Sequence, residues 1–224
     1  MTKIINWFKN INRKNLLVAI CLILFQLFVF YATKPFLGEP GVLRTSLDDK
    51  IPFIPHFIWF YVSWYPMLLL VPYYIAKKNK TAFFKYGTVY VISLFIAAIF
   101  YLSMPKIVTR AVITGTDISS RLVQTIYNLD NPGLNCLPSI HCTVCFIFIF
   151  GILATKETTT ALTKFILILH STLIVASTIF VKQHVLYDML LALIIVGFTW
   201  IVSNRFKLYD LFEKYVYNRF KIKE

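Results

Sequence analysis

The sequence predicts an all-α fold, a polytopic membrane protein built as a six-transmembrane-helix bundle, and three observations predict it. The first is composition. Of 224 residues, 58% are hydrophobic and only 15% charged, with a mean hydropathy of +0.69, outside the range of ordinary soluble domains. The second is the set of apolar runs at 15–33, 54–76, 86–104, 140–155, 164–181 and 185–203, most near the roughly 20 residues a helix needs to cross the hydrocarbon core. The third is the placement of the 23 Lys and Arg residues, which sit in short runs between the apolar stretches instead of on one polar face.

The elements follow in order. A basic segment, 1–14, carries Lys3, Lys9, Arg13 and Lys14. The run after it is too long for a signal peptide, and Phe30-Tyr31-Ala32 lacks a small-residue cleavage pattern, so an uncleaved anchor is expected. Lys77, Lys78, Lys80 and Lys85 separate the second run from the third. The fourth run is short, and a tight polar turn at 182–184 divides the fifth from the sixth. The membrane domain is thus 15–203. The tail, 204–224, mixes Phe206, Leu208, Tyr209, Leu211, Phe212, Tyr215 and Tyr217 with charges and reads as a basic amphipathic segment attracted to anionic lipid.

Six spans place both termini on one side, and the basic residues then divide sixteen to seven. The minority side holds Lys34, Arg44, Lys50, Lys106, Arg110, Arg121 and Lys182. By the positive-inside rule the termini are cytoplasmic, in a multi-pass cell-membrane protein. Segments 34–53, 105–139 and 182–184 then face outward. The net charge of +13 is accounted for by this topology, which argues against a nucleic-acid partner and for membrane lipids. The sequence admits a homo-oligomer without specifying one. Cys21, Cys136, Cys142 and Cys145 fall mostly in or beside apolar stretches, as small hydrophobes, and no disulfide is expected. Adjacent ligands in a Cys136, His141, Cys142, Cys145 set do not match structural-zinc spacing, so neither metal nor cofactor is expected.

Ionisable groups near hydrocarbon are costly, so their positions are informative. Three segments at the outer helix ends collect them: 105–110, 137–141 and 177–188. His184 and Asp188 stand four apart, one helical turn if the sixth helix has begun, so the carboxylate can orient the imidazole and leave its far nitrogen free as a nucleophile. The bland alternative is an interfacial polar pair. His141 follows Pro138-Ser139 at the start of an apolar run, where a helix N-terminus favours an anion. Ser139 adds a hydroxyl, and His141 is placed to act as a general acid. Arg110, Lys106 and Lys182 supply positive charge to phosphate oxygens, Arg110 with a planar fork. His56 and His170 lack such surroundings and are expected to hydrogen-bond within the bundle.

Together these segments resemble the type 2 phosphatidic acid phosphatase and haloperoxidase superfamily, with its K-x6-R-P, P-S-G-H and S-R-x5-H-x3-D elements. Pro138-Ser139-Ile140-His141 matches the second with Ile140 for Gly. Ser177 through Asp188 matches the third at every spacing, with Thr178 for Arg. Arg110 stands at the first element's arginine, followed by Ala111, with no Lys seven residues before it. These departures resemble the branch of inositol-phosphoceramide and sphingomyelin synthases. The resemblance implies a phospho-His184 intermediate, His141 as acid and then base, Asp188 as orienter, and Ser139 and Arg110 as phosphate ligands, with an active site facing outward. Lys182 in place of the lost arginine is an expectation of our own.

The expected activity is a metal-independent lipid phosphatase acting on a phosphorylated lipid substrate, of the phosphatidate or isoprenoid pyrophosphate class. A phosphotransferase passing a phospho-headgroup to a hydroxyl acceptor is the alternative. A small transporter is a rival of another class, but it predicts polar residues inside the spans, whereas here they collect at the ends. An inactive lipid-binding relative is the remaining reading, given Ile140, Thr178 and Ala111.

Overall fold

The structure, a computed structural model, describes residues 12–220; the sequence-stretch 1–11 with Lys3 and Lys9, and Lys221 and Lys223, lie outside the described residues. Helix starts follow side-chain caps. Asn12 accepts the Asn15 N–H at 3.0 Å and opens α1, Arg13–Thr33. Asn79 alone separates α3, Ile58–Lys78, from α4, Lys80–Ser103. Its N–H closes α3 on the Ile75 carbonyl at 2.8 Å, and its side chain accepts the Ala82 N–H at 2.9 Å, so one residue ends one helix and caps the next. Between α1 and α3 lie β1, Gly41–Leu43, and the short α2, Ser46–Lys50. After α4 come β2, Lys106–Val108, and α5, Ile118–Leu129, capped by Asp117. The chain then forms α6, Ile140–Ala154; α7, Ala161–Phe180; α8, Leu186–Arg205; and α9, Tyr209–Tyr215. β1 and β2 pair in parallel, Gly41 opposite Lys106, a departure from purely helical structure that ties the loop after α1 to the loop after α4.

Among the described residues, five segments are long and apolar enough to cross a membrane: Arg13–Phe36, Pro55–Lys78, Lys80–Ser103, Ala161–Phe180 and Leu186–Arg205. The fourth expected span is the exception. α6 is apolar but has 15 residues, a rise of about 22 Å against a core of about 30 Å. It is the innermost helix, packed on α3, α4, α7 and α8, with Cys142, Val144, Cys145, Ile147 and Phe148 all fully buried. Protein instead of lipid surrounds most of it, and the one face left partly open, Phe146, Ile149, Phe150 and Leu153, is apolar as well, which accounts for its all-round apolar sequence. Tyr86, Tyr90, Phe83 and Leu94 of α4 complete the core. Phe28, Phe95, Ile99, Phe165, Ile194, Phe198 and Ile201 stay exposed, the apolar outer surface of a bundle that meets lipid.

In the segment expected as an interfacial tail, Phe206, Leu211 and Tyr215 are exposed while Phe212 and Tyr217 are buried. Phe212 fills the space left by the missing side chain of Gly87. The Tyr217 hydroxyl donates to Asn15 at 2.7 Å. These aromatics join the core at the end of the bundle opposite the histidines.

Candidate functional site

Six helix termini meet at one end of the bundle: the ends of α1, α4 and α7 and the starts of α3, α6 and α8. The local geometry around His184 begins with how α7 stops. Val181 is its C-cap, and Lys182 has φ +53°, the left-handed region that costs a non-glycine residue about 1–2 kcal/mol. The Gln183 and His184 N–H groups both return to the Thr178 carbonyl, at 3.0 and 3.1 Å, as a helix with a left-handed C-terminal residue requires. The Lys182 ammonium offsets the conformation by donating to the carbonyls of Asp48 at 2.8 Å and Ile51 at 2.6 Å.

His184 is therefore in the turn, two residues before α8 begins. The expected meeting of His184 and Asp188 on one helix face is not how they pair. Asp188 reaches back over the N-terminus of α8, accepting the Val185 N–H at 3.3 Å and His184 Nδ1 at 2.9 Å on the same oxygen. The four-residue spacing holds because a first-turn acidic residue closes on the chain before the helix. Asp188 is fully buried and His184 is 7% exposed. A carboxylate accepting from Nδ1–H leaves Nε2 with a lone pair.

His141 lies in the first turn of α6, its ring centroid 5.6 Å from that of His184. Trp64 and Tyr61 flank it at 4.2 and 4.6 Å. Both its ring nitrogens are buried without a hydrogen-bond partner, an arrangement that costs about 1–3 kcal/mol per group unless something else pairs with it.

Two cavities meet at His184. One, of about 200 Å³, is lined by Arg44, Asp48, Arg110, Lys182 and His184. The other, of about 290 Å³, is lined by Tyr61, Trp64, Asp130, His141, Gln183 and His184, with a rim of Leu27, Tyr31, Tyr65 and Leu129. Arg110 lines the smaller cavity and is bonded to Asp130 and Gln183, which line the larger. It donates to the Tyr127 carbonyl at 2.6 Å, to the Asp130 carbonyl and carboxylate at 2.7 and 2.8 Å, and to the Gln183 side chain at 3.0 Å. Burial raises the Asp130 carboxyl above its ordinary pKa, against the lowering charges of Arg110 and Lys34. Arg110 thus compensates a desolvated carboxylate at the C-terminus of α5, and its fork is already occupied.

The structure brings His184, Asp188 and His141 together and sets Arg110 and Lys182 on the smaller cavity. Ser139 is different: it is fully buried and lines neither cavity. Its hydroxyl accepts the Cys142 N–H at 3.2 Å, making it the N-cap of α6, and its own N–H bonds the Asp188 carbonyl at 3.4 Å. Lys106 also lines neither cavity. It sits on β2 against Gly41, where an added Cβ would come within 2.8 Å of its Nζ. Thr178, at the family arginine's position, is fully buried and turns its hydroxyl to the Val175 carbonyl at 2.8 Å, so it supplies no charge.

Sequence reading missed Asp48, Asp130 and Gln183. Asp48 is 6% exposed and accepts the Leu186 N–H at 2.9 Å, tying α2 to the start of α8. His56 and His170 bond Ser119 and Ser63, each at 3.0 Å. All four cysteines are free thiols, and burial raises the Cys136 thiol well above its ordinary pKa. Among the described residues no group of three or more His, Cys, Asp or Glu is arranged to hold a metal ion. No family model, curated protein or solved structure matches the chain.

Proposed function

We propose that the chain is a six-span integral membrane enzyme that cleaves a phosphate or pyrophosphate monoester of a lipid through a phospho-histidine intermediate. The observation carrying this reading is the buried His184–Asp188 pair at 2.9 Å with the partnerless His141 ring beside it. A nucleophile with an orienting carboxylate and a separate proton carrier is the set that double displacement at phosphorus requires. The resemblance of 137–141 and 177–188 to the phosphatidic acid phosphatase type 2 superfamily supports the same roles.

In this mechanism His184 Nε2 attacks phosphorus and the phosphorus–oxygen bond to the lipid breaks. His141 gives its proton to the departing oxygen. Water then attacks the phospho-histidine, returns a proton to His141, and the phosphorus–nitrogen bond breaks. Asp188 stabilises the imidazolium character that develops on His184. Arg110 and Lys182 set a positive field at the smaller cavity, where phosphate oxygens are held. Lipid reaches the site sideways, past the exposed apolar rim of the larger cavity. α6 is the fourth of the six spans in chain order, shielded by its neighbours over most of its surface, and the site faces the extracytoplasmic side.

The test is phosphate release from phosphatidate, lysophosphatidate and undecaprenyl pyrophosphate in detergent with chelator, with acid-labile label on the protein measured in parallel. Wild type is expected to release phosphate and His184→Ala neither to release it nor to retain label. Equal release by both proteins would remove His184 from the nucleophile's role.

A further inference from the structure

The two ends of the bundle treat charge differently. At the histidine end the cations close on carboxylates, Lys34 and Arg110 on Asp130, Arg44 on Asp49 and His184 on Asp188. The segments at the other end, 12–14, 76–86, 155–164 and 204–220, carry twelve basic and three acidic residues. Among the described residues, Lys14, Lys78, Lys85, Lys156 and Lys214 form no ion pair. Four of these ammonium groups lie over tyrosine rings instead: Lys14 over Tyr217 at 4.2 Å, Lys78 over Tyr74 at 5.6 Å, Lys85 over Tyr209 at 5.1 Å and Lys214 over Tyr215 at 4.9 Å. A ring face attracts a cation without neutralising it, so these charges are held in place and left uncompensated.

Packing brings two of them together. Tyr86 of α4 lies against Gly151 of α6, where an added Cβ would be 3.2 Å from its ring, and Gly87 receives the ring of Phe212 from α9. Lys85, just before them and half-buried, lies over Tyr209 at the start of α9. α6 ends a few residues after Gly151, and the chain turns through Thr155 into the exposed Lys156, whose charge acts on Lys85. Two like charges held close by three packed elements repel each other unless an anion sits between them. Phe206, Leu211 and Tyr215, 69%, 53% and 55% exposed, flank this junction on α9 and just before it. An anion here is met at the edge of the hydrocarbon, which suits a phosphate that carries acyl chains.

We propose that the junction of α4, α6 and α9 is a binding site for the phosphate of an anionic phospholipid from the adjoining leaflet, held between Lys85 and Lys156. The site is independent of the histidines and of the phospho-histidine reading. It is also narrower than a general attraction of the basic tail to an anionic surface. One headgroup is held by α4 and the loop after α6, and α9, fastened by Phe212, forms the wall beside it.

Native mass spectrometry of the purified full-length protein in neutral detergent counts bound lipid during titration with phosphatidylglycerol or phosphatidylcholine. One phosphatidylglycerol per chain should remain bound at a concentration where phosphatidylcholine does not. Lys85→Met and Lys156→Met should each weaken it about fivefold, the worth of one lysine at a lipid surface, while Lys85→Arg keeps it. Lys207→Met combined with Lys214→Met removes as much charge from the tail as the Lys85→Met, Lys156→Met double variant removes from the junction, and should bind as wild type does. Equal loss in the tail variant would make the attraction diffuse and overturn the site, as would unchanged binding in the junction double variant. Inorganic phosphate should not displace the lipid, and displacement at millimolar concentration would overturn the assignment to a phospholipid. Melting temperature without added lipid checks that each variant is folded, and Lys85→Gln replaces Lys85→Met if the latter is destabilised.

Discussion

His184 and His141 sit 5.6 Å apart by ring centroids, yet their surroundings are opposite. His184 Nδ1 is bound to a buried carboxylate, whereas His141 is wedged between Trp64 and Tyr61 with no polar partner. The difference fits the roles proposed for them. A ring oriented through one nitrogen offers the other in a fixed direction, while a ring held only by packing is free to exchange protons with a ligand. His141→Gln is expected to slow release from an alkyl phosphate by about 10²–10⁴-fold. An aryl phosphate with an acidic leaving group needs no such proton and should lose far less. Steady-state rates on the two ester types decide it, and an equal loss on both would mean that His141 shapes the cavity without donating a proton. Asp188→Asn should slow both esters alike, since it disturbs the nucleophile. The placement of these two histidines and Asp188 at one site was legible in sequence because the spacing around His184 and the Pro-Ser turn before His141 are local. Ser139 was misleading for a local reason too: a serine before a helix is the usual N-cap, and that is where its oxygen is spent.

At the scale of elements, the site is held by the short loop structure between α1 and α3. Partial burial acts to raise the Asp48 pKa, but bonds from the Leu186 N–H and from Thr45, with the charge of Lys182, outweigh it and hold it below the ordinary carboxylate value. A carboxylate lowered in the folded state stabilises above its unfolded pKa of about 3.9, and the contribution disappears as pH falls through the lower folded value. Melting temperature in detergent should therefore fall below about pH 4 more steeply in wild type than in Asp48→Asn, and at neutral pH the variant should be less stable by about 1–3 kcal/mol. Parallel curves would take Asp48 out of the account. This link was not legible in sequence. Asp48 and Leu186 are 138 positions apart, and an acidic residue in Ser46–Lys50 reads as a solvated loop carboxylate until the fold closes over it. Asp130 was hidden in the same way, since only the folded chain brings Arg110 and Gln183 to it. Helix positions were more legible, because each long apolar run has a single way to bury or meet lipid. The exact starts depended on caps such as Asn79, which carried α4 back to Lys80 ahead of the apolar run at 86.

For the whole molecule, alternating helix directions put His141, His184 and Arg110 at one end and the tail residues Phe212 and Tyr217, packed against α4 and Asn15, at the other. The sequence assigns most of its basic residues to the tail end and the loops beside it, where attraction to an anionic inner leaflet is strongest. Glu39, in the loop after α1, and Glu157, between α6 and α7, are both exposed and lie at opposite ends of the bundle. Replaced singly by cysteine in a background with Cys21, Cys136, Cys142 and Cys145 changed to Ala or Ser, they report orientation directly. Position 39 should react with a membrane-impermeant maleimide on intact cells, and position 157 only after permeabilisation. The reverse pattern would place the histidine pair on the cytoplasmic side, so that its lipid would come from the inner leaflet, with the dyad geometry untouched. Labelling of both positions from outside would be incompatible with α6 crossing as the fourth span. That outcome bears on the 15-residue α6, because a helix about 22 Å long crosses only if its neighbours or a thinned bilayer shorten the path by about 8 Å.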